Sequence, residues 1–229
     1  MITFINKVAI KLQRKNYFFK RFFGILTDNL WVNTIVFYKF DLDKIDLARK
    51  HEKIEVRWKL ATKEDCEKWF TGEPDAFPVV SKKRFLQLIE NGDWVLLGER
   101  ISDSMEPKPV THAACAFRQK PMTHSVDFRV QNLEGFIMAV FTDNEMRGQG
   151  LAAGCIAEIC RKAKEAGKQV VYIDISTTNF PSIRSAEKVG AIPCDTRYIL
   201  FRILKRSFIF PFGSLSSRFE KNTNLVKKR

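Results

Sequence analysis

The sequence contains no run of 18 or more apolar residues, so no transmembrane helix is expected. It has no clean apolar stretch followed by a small-residue cleavage site, so no signal peptide is expected either. The five cysteines, Cys66, Cys115, Cys155, Cys160 and Cys194, are scattered and odd in number. None forms the two-residue spaced pair of a metal site, and a reduced, cytoplasmic protein without a metal centre is the simplest expectation. Asp41, Asp43 and Asp46 lack the glycine turn and closing glutamate of a calcium loop. No Gly-Lys-Ser/Thr ends a glycine loop, which excludes a Walker A site. Disorder throughout is also excluded, because 45% of the 229 residues are hydrophobic, enough for a sizeable core.

Charge is present but uneven. The formal total is +13, yet residues 51–201 hold 21 basic and 21 acidic side chains. Residues 1–50 contribute +6 and residues 202–229 contribute +7. We therefore expect a basic, aromatic-rich N-terminal extension over 1–50, a balanced domain over 51–204, and a basic, partly disordered C-terminal extension over 205–229. Residues 4–26 interleave Lys7, Lys11, Arg14, Lys15, Lys20 and Arg21 with phenylalanines and aliphatics. Such ends suit an anionic membrane surface, an N-terminal helix packed on the domain, or, less well, nucleic acid.

Hydrophobic periodicity predicts the elements between these ends. Strands are expected at Leu30 to Phe40, Lys53 to Leu60, Trp94 to Ile101, Val110 to Arg118, Glu134 to Thr142, Val170 to Ile175 and Asp195 to Leu204, with a short one at Ser125 to Val130. Gln119 to His124 reads as a turn. Thr62 followed by Asp65 is a capping-box-like start for a helix through Phe70. Further helices are expected at Ser81 to Asn91, Leu151 to about Ala166, and Asn179 to Val189. Strands outnumber helices, so the fold class is α/β (α+β), a mixed layer and not a bundle.

The most informative stretch is Ala139 to Ile159. An apolar strand ends near Thr142, and Arg147-Gly148-Gln149-Gly150 leads into an apolar-periodic helix from Leu151. Glycines let backbone approach a ligand, and free N–H groups at a helix start attract anions. A dinucleotide-binding loop, for which Asp174 at the end of the next strand would supply the ribose-binding acid, would instead follow the first strand of its unit, whereas several strands precede this one.

Arg147, Gly150 and Ala152 give Arg-x-x-Gly-x-Ala, which resembles the acyl-CoA signature of the GCN5-related N-acetyltransferase (GNAT) superfamily. Asn179 to Ala191, with Ser182, Lys188 and Gly190, is similar to the family's later Asn-x-x-Ser/Ala…Lys-x-Gly-Phe segment. The resemblance covers about residues 53–201. It implies the acyl-CoA N-acyltransferase fold, a mostly antiparallel central sheet flanked by helices, and acetyl-CoA or another acyl-CoA as cofactor. The pyrophosphate would rest on the amides of Arg147, Gly148, Gln149, Gly150, Leu151 and Ala152. Val140, Phe141 and Thr142 would line the pantetheine arm, with the sheet splaying toward Val170 to Ile175. Asn179 and Ser182 would stand near the thioester or the pantetheine, or simply cap their helix.

The implied reaction is direct transfer of the acyl group to a primary amine. It needs a base for the amine proton and a donor for the developing oxyanion. Glu134 is the first base candidate, with His112, His124 and Asp127 as alternatives. Many members carry a tyrosine that protonates the departing thiolate, but Ala186 occupies that position here. Tyr198 or Tyr172 would have to act from elsewhere, and Ala191 replaces the usual phenylalanine after Gly190. The acceptor is expected to be a small-molecule or glycan amine, such as an amino sugar in a bacterial cell-surface polysaccharide pathway. A non-catalytic acyl-CoA-binding module and a nucleic-acid-binding protein are the alternatives. A homodimer is open, and the location expected is cytoplasmic with membrane association through the ends.

Overall fold

The computed structural model describes residues 30–69, 82–101, 107–122, 126–203 and 206–221. The segment 4–26, His124 and the end of the C-terminal tail lie outside the described residues.

An eight-stranded sheet organises the chain. Its strands are β1 (Leu30–Asp41), β2 (Val56–Leu60), β3 (Trp94–Arg100), β4 (Pro109–Ala116), β7 (Glu134–Thr142), β8 (Val170–Ser176), β9 (Ile192–Ile203) and β10 (Arg206–Phe212). A three-stranded sheet is formed by β5 (Gln119–Pro121), β6 (Val126–Arg129) and β11 (Phe219–Lys221). The large sheet runs β10-β9-β1-β8-β7-β4-β3-β2, and only the β7–β8 pair is parallel. The helices are α1 (Lys63–Trp69), α2 (Lys82–Glu90), α3 (Leu151–Glu165) and α4 (Phe180–Lys188). A mostly antiparallel sheet flanked by helices is the architecture that the sequence implied.

Local chemistry explains the element starts. The Asp65 N–H donates to the Thr62 hydroxyl at 3.2 Å, and the Thr62 N–H donates to Asp65 Oδ2 at 3.0 Å, a reciprocal capping box for α1. Asn179 caps α4 by accepting from the Ser182 N–H, with Pro181 in the first turn.

Packing follows strand alternation. On β7, Ile137 joins the core under α3, whereas Phe136 and Met138 point to the opposite face. That opposite face is covered by α1 and α2 over one half of the sheet and by the small sheet over the other. Under the small sheet, Phe37, Phe128, Phe136, Tyr198 and Phe219 pack ring against ring.

The chain boundaries differ from the charge-based reading. β1 was expected inside the N-terminal extension, yet it is hydrogen-bonded between β8 and β9. Its near-continuous apolar run suits a strand covered on both faces, and Phe37 and Phe40 are fully buried. Residues 206–221 also form structure: β10 pairs with β9, and β11 completes the small sheet. Net charge reports the solvated side chains and is blind to which backbone pairs with which. The predicted turn at Gln119 to His124 contains β5, whose three residues are too few to show a period.

Candidate functional site: an open strand edge beside a helix start

The parallel pairing of β7 and β8 runs only from Glu134↔Val170 to Ile137↔Ile173. Beyond Ile137, the β8-facing edge of β7 has no backbone partner in β8. Within this stretch β7 slips against β4, between the pairs Ala114↔Met138 and His112↔Phe141. The extra residue forms a bulge, and Ala139 takes a φ of 54°, the only non-glycine positive φ among the described residues. The bulge and the lost pairing leave N–H and C=O groups that another extended chain can satisfy.

At the end of β7 the Asp143 carboxylate accepts from the Glu145 N–H and starts a single 3₁₀ turn. Gly148 and Gly150 then take φ values of +80° and +79°, which turn the chain into α3. The two glycines differ in surroundings. A Cβ on Gly148 would meet nothing within 4 Å, whereas one on Gly150 would lie 2.1 Å from the His51 carbonyl oxygen. The loop is clamped there by a second contact, the Lys53 N–H donating to the Gln149 carbonyl at 2.9 Å. Behind it the Glu52 carboxylate occupies the space over Gly154 and accepts from Trp58 Nε1 at 3.1 Å. The result is a fixed loop whose helix-start amides face solvent without side-chain capping.

A groove of about 570 Å³ joins these features. Val140, Phe141, Thr142, Arg147, Gly148, Gly150, Leu151 and Ala152 line it, and Asn179 and Ser182 face it from α4. Of the residues singled out for cofactor binding, only Gln149 is outside the lining, its carbonyl being engaged by Lys53. The sequence reading missed other lining residues, among them Arg184, Ser185 and Lys188, which a helical spacing from Pro181 would have indicated. Among the described residues, Arg147, Arg184 and Lys188 are the charged groups of the lining, and none of them is a carboxylate. Lys188 also donates to the His51 carbonyl at 3.3 Å, tying α4 to the clamp of the loop.

Every one of these features suits an acyl-CoA. An open strand edge accepts amide-bearing pantetheine, and uncapped N–H groups beside three cations accept pyrophosphate. A family model described as "Acetyltransferase (GNAT) family" matches residues 62–191, more than half of the chain. The chain belongs to the GNAT acetyltransferase family. No curated protein matches its sequence. Among solved structures it is similar to a GCN5-related N-acetyltransferase from Sphaerobacter thermophilus, at 18% identity and a TM-score of 0.54. That match covers 76% of this chain and 53% of the other. A GNAT-family acetyltransferase from Colwellia psychrerythraea matches at 15% identity and a TM-score of 0.53, covering 77% and 59%. A GCN5-related glucosamine N-acetyltransferase region of a fungal multi-domain β-N-acetylglucosaminidase matches at 12% identity and a TM-score of 0.53, covering 87% of this chain and 22% of that one. The chain thus spans little more than half the length of the two bacterial proteins, and at these identities the likeness is one of fold.

The expected acid–base residues are placed differently from the groove. Glu134 opens β7 seven residues before Phe141, about 23 Å away along a strand. Its carboxylate forms a two-point ion pair with Arg218, at 2.6 and 3.0 Å, and also accepts from the Gln131 N–H. The Tyr172 hydroxyl lies 3.5 Å from it, with its pKa pushed up to about 12, chiefly by burial. This ion pair fastens β7 to the turn that leads into β11. His112 is fully buried, edge-on to Phe85 and stacked on Phe141 at 5.4 Å. Burial drives its pKa down to about 3, so it is neutral at ordinary pH and a weak proton acceptor. Asp127 is buried on β6 in the small sheet, where burial raises its pKa. Ala186 is fully buried in the core beneath α3, which accounts for the absence of a tyrosine there.

Tyr198 donates to Asp174 Oδ2 at 2.6 Å, and Lys120 forms an ion pair with the other oxygen of Asp174. Asp174 directly follows Ile173, so it stands where β7 and β8 part, on the face away from α3. Lys120 also lies 4.3 Å from the centre of the Phe136 ring. Burial lowers the Lys120 pKa, opposed by Asp174 and reinforced by the nearby positive charge of Arg84 on α2. The sequence offered Asp174 only as a possible ribose ligand in the dinucleotide reading, because its partners come from β5 and β9.

Proposed function

We propose that this chain is an acyl-CoA-dependent N-acyltransferase that moves an acyl group directly to a primary amine. The observation that carries the reading is the groove itself. One wall is an unpaired strand edge, the end wall is an uncapped helix start, and its charges are Arg147, Arg184 and Lys188. Acetyl-CoA, or another acyl-CoA, supplies an activated thioester when bound. The first-turn amides of α3, with the three cations, hold its pyrophosphate. The free edge at Val140, Phe141 and Thr142 pairs with the pantetheine amides. The bulge at Ala139 turns backbone donors toward the split, where an N–H can stabilise negative charge on the thioester carbonyl oxygen.

The acceptor approaches from the opposite face of the split. Asp174 is the carboxylate at that point, and we assign to it the proton that the acceptor ammonium loses before its neutral amine attacks the thioester carbonyl and coenzyme A leaves as thiolate. Tyr198 and Lys120 hold Asp174 in place. Glu134 and His112 are left out of the chemical step by their surroundings. An amino sugar, free or in a cell-surface polysaccharide precursor, is the acceptor we favour. Its support is the likeness to the fungal glucosamine N-acetyltransferase region.

Two measurements test the reading. Calorimetry with coenzyme A should show one binding site, and thiol release from acetyl-CoA should accelerate with an amine from a panel of glucosamine, lysine and spermidine. Absence of coenzyme A binding at millimolar concentration refutes the proposal. Tight binding with no turnover across the panel favours a non-catalytic acyl-CoA module.

A further inference from the structure

The sheet carries a second surface that the acyl-transfer reading leaves unused. On β10, Phe208, Phe210 and Phe212 share one strand face and are 46%, 54% and 46% exposed. The alternate residue Ile209 packs inward beneath the small sheet. The phenylalanines sit opposite Phe201, Ile199 and Arg197 of β9, which in turn sit opposite Val32, Thr34 and Val36 of β1. Side chains of directly paired residues share a face. All of these are half-buried or exposed, although the same face of the sheet lies under α3 at β3, β4 and β7. β10 is also an edge strand, paired only with β9.

An edge strand with a row of exposed phenyl rings invites association, and proteins usually blunt such edges. The composition of the sequence here indicates its partner. Arg202, Lys205 and Arg206 immediately precede the phenylalanines in sequence, and Arg197 stands on the same face. Residues 202–229 contain eight basic side chains and a single acidic one, Glu220. A second copy of this face would bring like charges together. An anionic bilayer offers apolar depth for the rings and phosphates for the cations.

We propose that the β9–β10 face docks this protein on an anionic lipid surface, with Phe208, Phe210 and Phe212 inserted at the headgroup level. The surface belongs to the folded domain. It also stands apart from the acyl-CoA groove, so docking and cofactor binding are separable.

The experiment is co-sedimentation of the full chain with phosphatidylcholine vesicles, with and without phosphatidylglycerol. Binding is expected to the anionic vesicles, with loss on raising salt from 0.1 to about 0.5 M as the Debye length shrinks. The triple substitution Phe208→Thr, Phe210→Thr, Phe212→Thr should weaken partitioning about a hundredfold through lost apolar burial, while coenzyme A affinity is unchanged. Because the triple variant puts the fold at risk, Phe210→Trp gives an independent readout. Its added emission should shift blue on anionic vesicles and be quenched by brominated lipid. The proposal is overturned if the parent stays in the supernatant, or if the folded triple variant binds like the parent. It is also overturned if sedimentation velocity shows a dimer that the triple substitution dissolves while vesicle binding is absent.

Discussion

Ala152→Glu separates cofactor binding from fold stability, because the two should change independently. Ala152 is the second residue of α3, half-buried, and lines the groove. For the helix alone, a carboxylate in the first turn interacts favourably with the free N–H groups, worth about 0.3–1 kcal/mol. Glutamate loses only a few tenths of a kcal/mol of helix propensity against alanine. The melting temperature should therefore stay level or rise. For the cofactor the same carboxylate is a like charge beside the proposed pyrophosphate site. Two unit charges about 5 Å apart, at an effective dielectric of about 20, repel by about 3 kcal/mol. Solvent and the cations Arg147, Arg184 and Lys188 reduce that, so about 1–3 kcal/mol is expected. This is a roughly 10- to 100-fold rise in the coenzyme A dissociation constant. Calorimetry and thermal denaturation on the same preparation read both quantities. Ala152→Gln controls for size and should bind within a few-fold of the parent. Unchanged coenzyme A affinity in Ala152→Glu would refute the placement of the pyrophosphate. An equal loss in Ala152→Gln would show that bulk, not charge, was responsible.

Gly150→Ala should destabilise the chain by more than about 2 kcal/mol in urea denaturation, combining left-handed backbone strain with a clash against the His51 carbonyl. Gly148→Ala has open space and should cost only the strain, about 1–2 kcal/mol. Glu134→Gln should lower stability by about 3 kcal/mol, because it leaves Arg218 without its ionic partner, yet keep the pH profile of kcat. A collapse of kcat with stability intact would reinstate Glu134 as the base. Asp174→Asn should reduce kcat about a hundredfold while leaving coenzyme A affinity in place; a variant as active as the parent would remove Asp174 from the chemical step. His112 has a folded pKa of about 3 against an ordinary 6.5, so the unfolded chain takes up its proton first as pH falls. Its contribution is complete above about pH 6.5 and declines toward pH 3, by up to about 5 kcal/mol. His112→Leu should flatten that part of the stability–pH curve.

Most of the fold could be read from one residue's relation to its near neighbours. The capping box at Thr62 and Asp65, the apolar run of β8 and the glycine loop before α3 each declare themselves within a few positions. What escaped reading depends on distant pairing. β1 looked like part of an extension because it lies among basic residues, and only its hydrogen bonds to β8 and β9 make it a core strand. β10 and β11 likewise fall in the expected C-terminal extension, and only their pairing with β9 and β6 makes them part of the sheets. The three-residue strands β5 and β11 carry too few side chains to show any alternation.

The site divides along the same line. Its donor half is built from consecutive backbone: a bulged strand end, two left-handed glycines and a helix start, all within Ala139 to Ala152. Local sequence specifies such a feature, so the residues expected there, Gln149 apart, line one groove. Its acceptor half is built from side chains that meet across the fold. Glu134 looked like a base because it shares a strand with the loop, but Arg218, 84 positions away, occupies it. Asp174 looked like a ribose ligand, but Lys120 and Tyr198 draw it into a polar cluster at the split. A strand tells which face a carboxylate takes, and a charge tells that it needs a partner. Neither tells which partner arrives. That is decided by the small sheet, where the turn leading into β11 carries Arg218 to one end of β7 and β5 carries Lys120 to the other side of the split. The small sheet therefore supplies a cation to each carboxylate, Arg218 to Glu134 and Lys120 to Asp174, at opposite ends of the β7–β8 pairing.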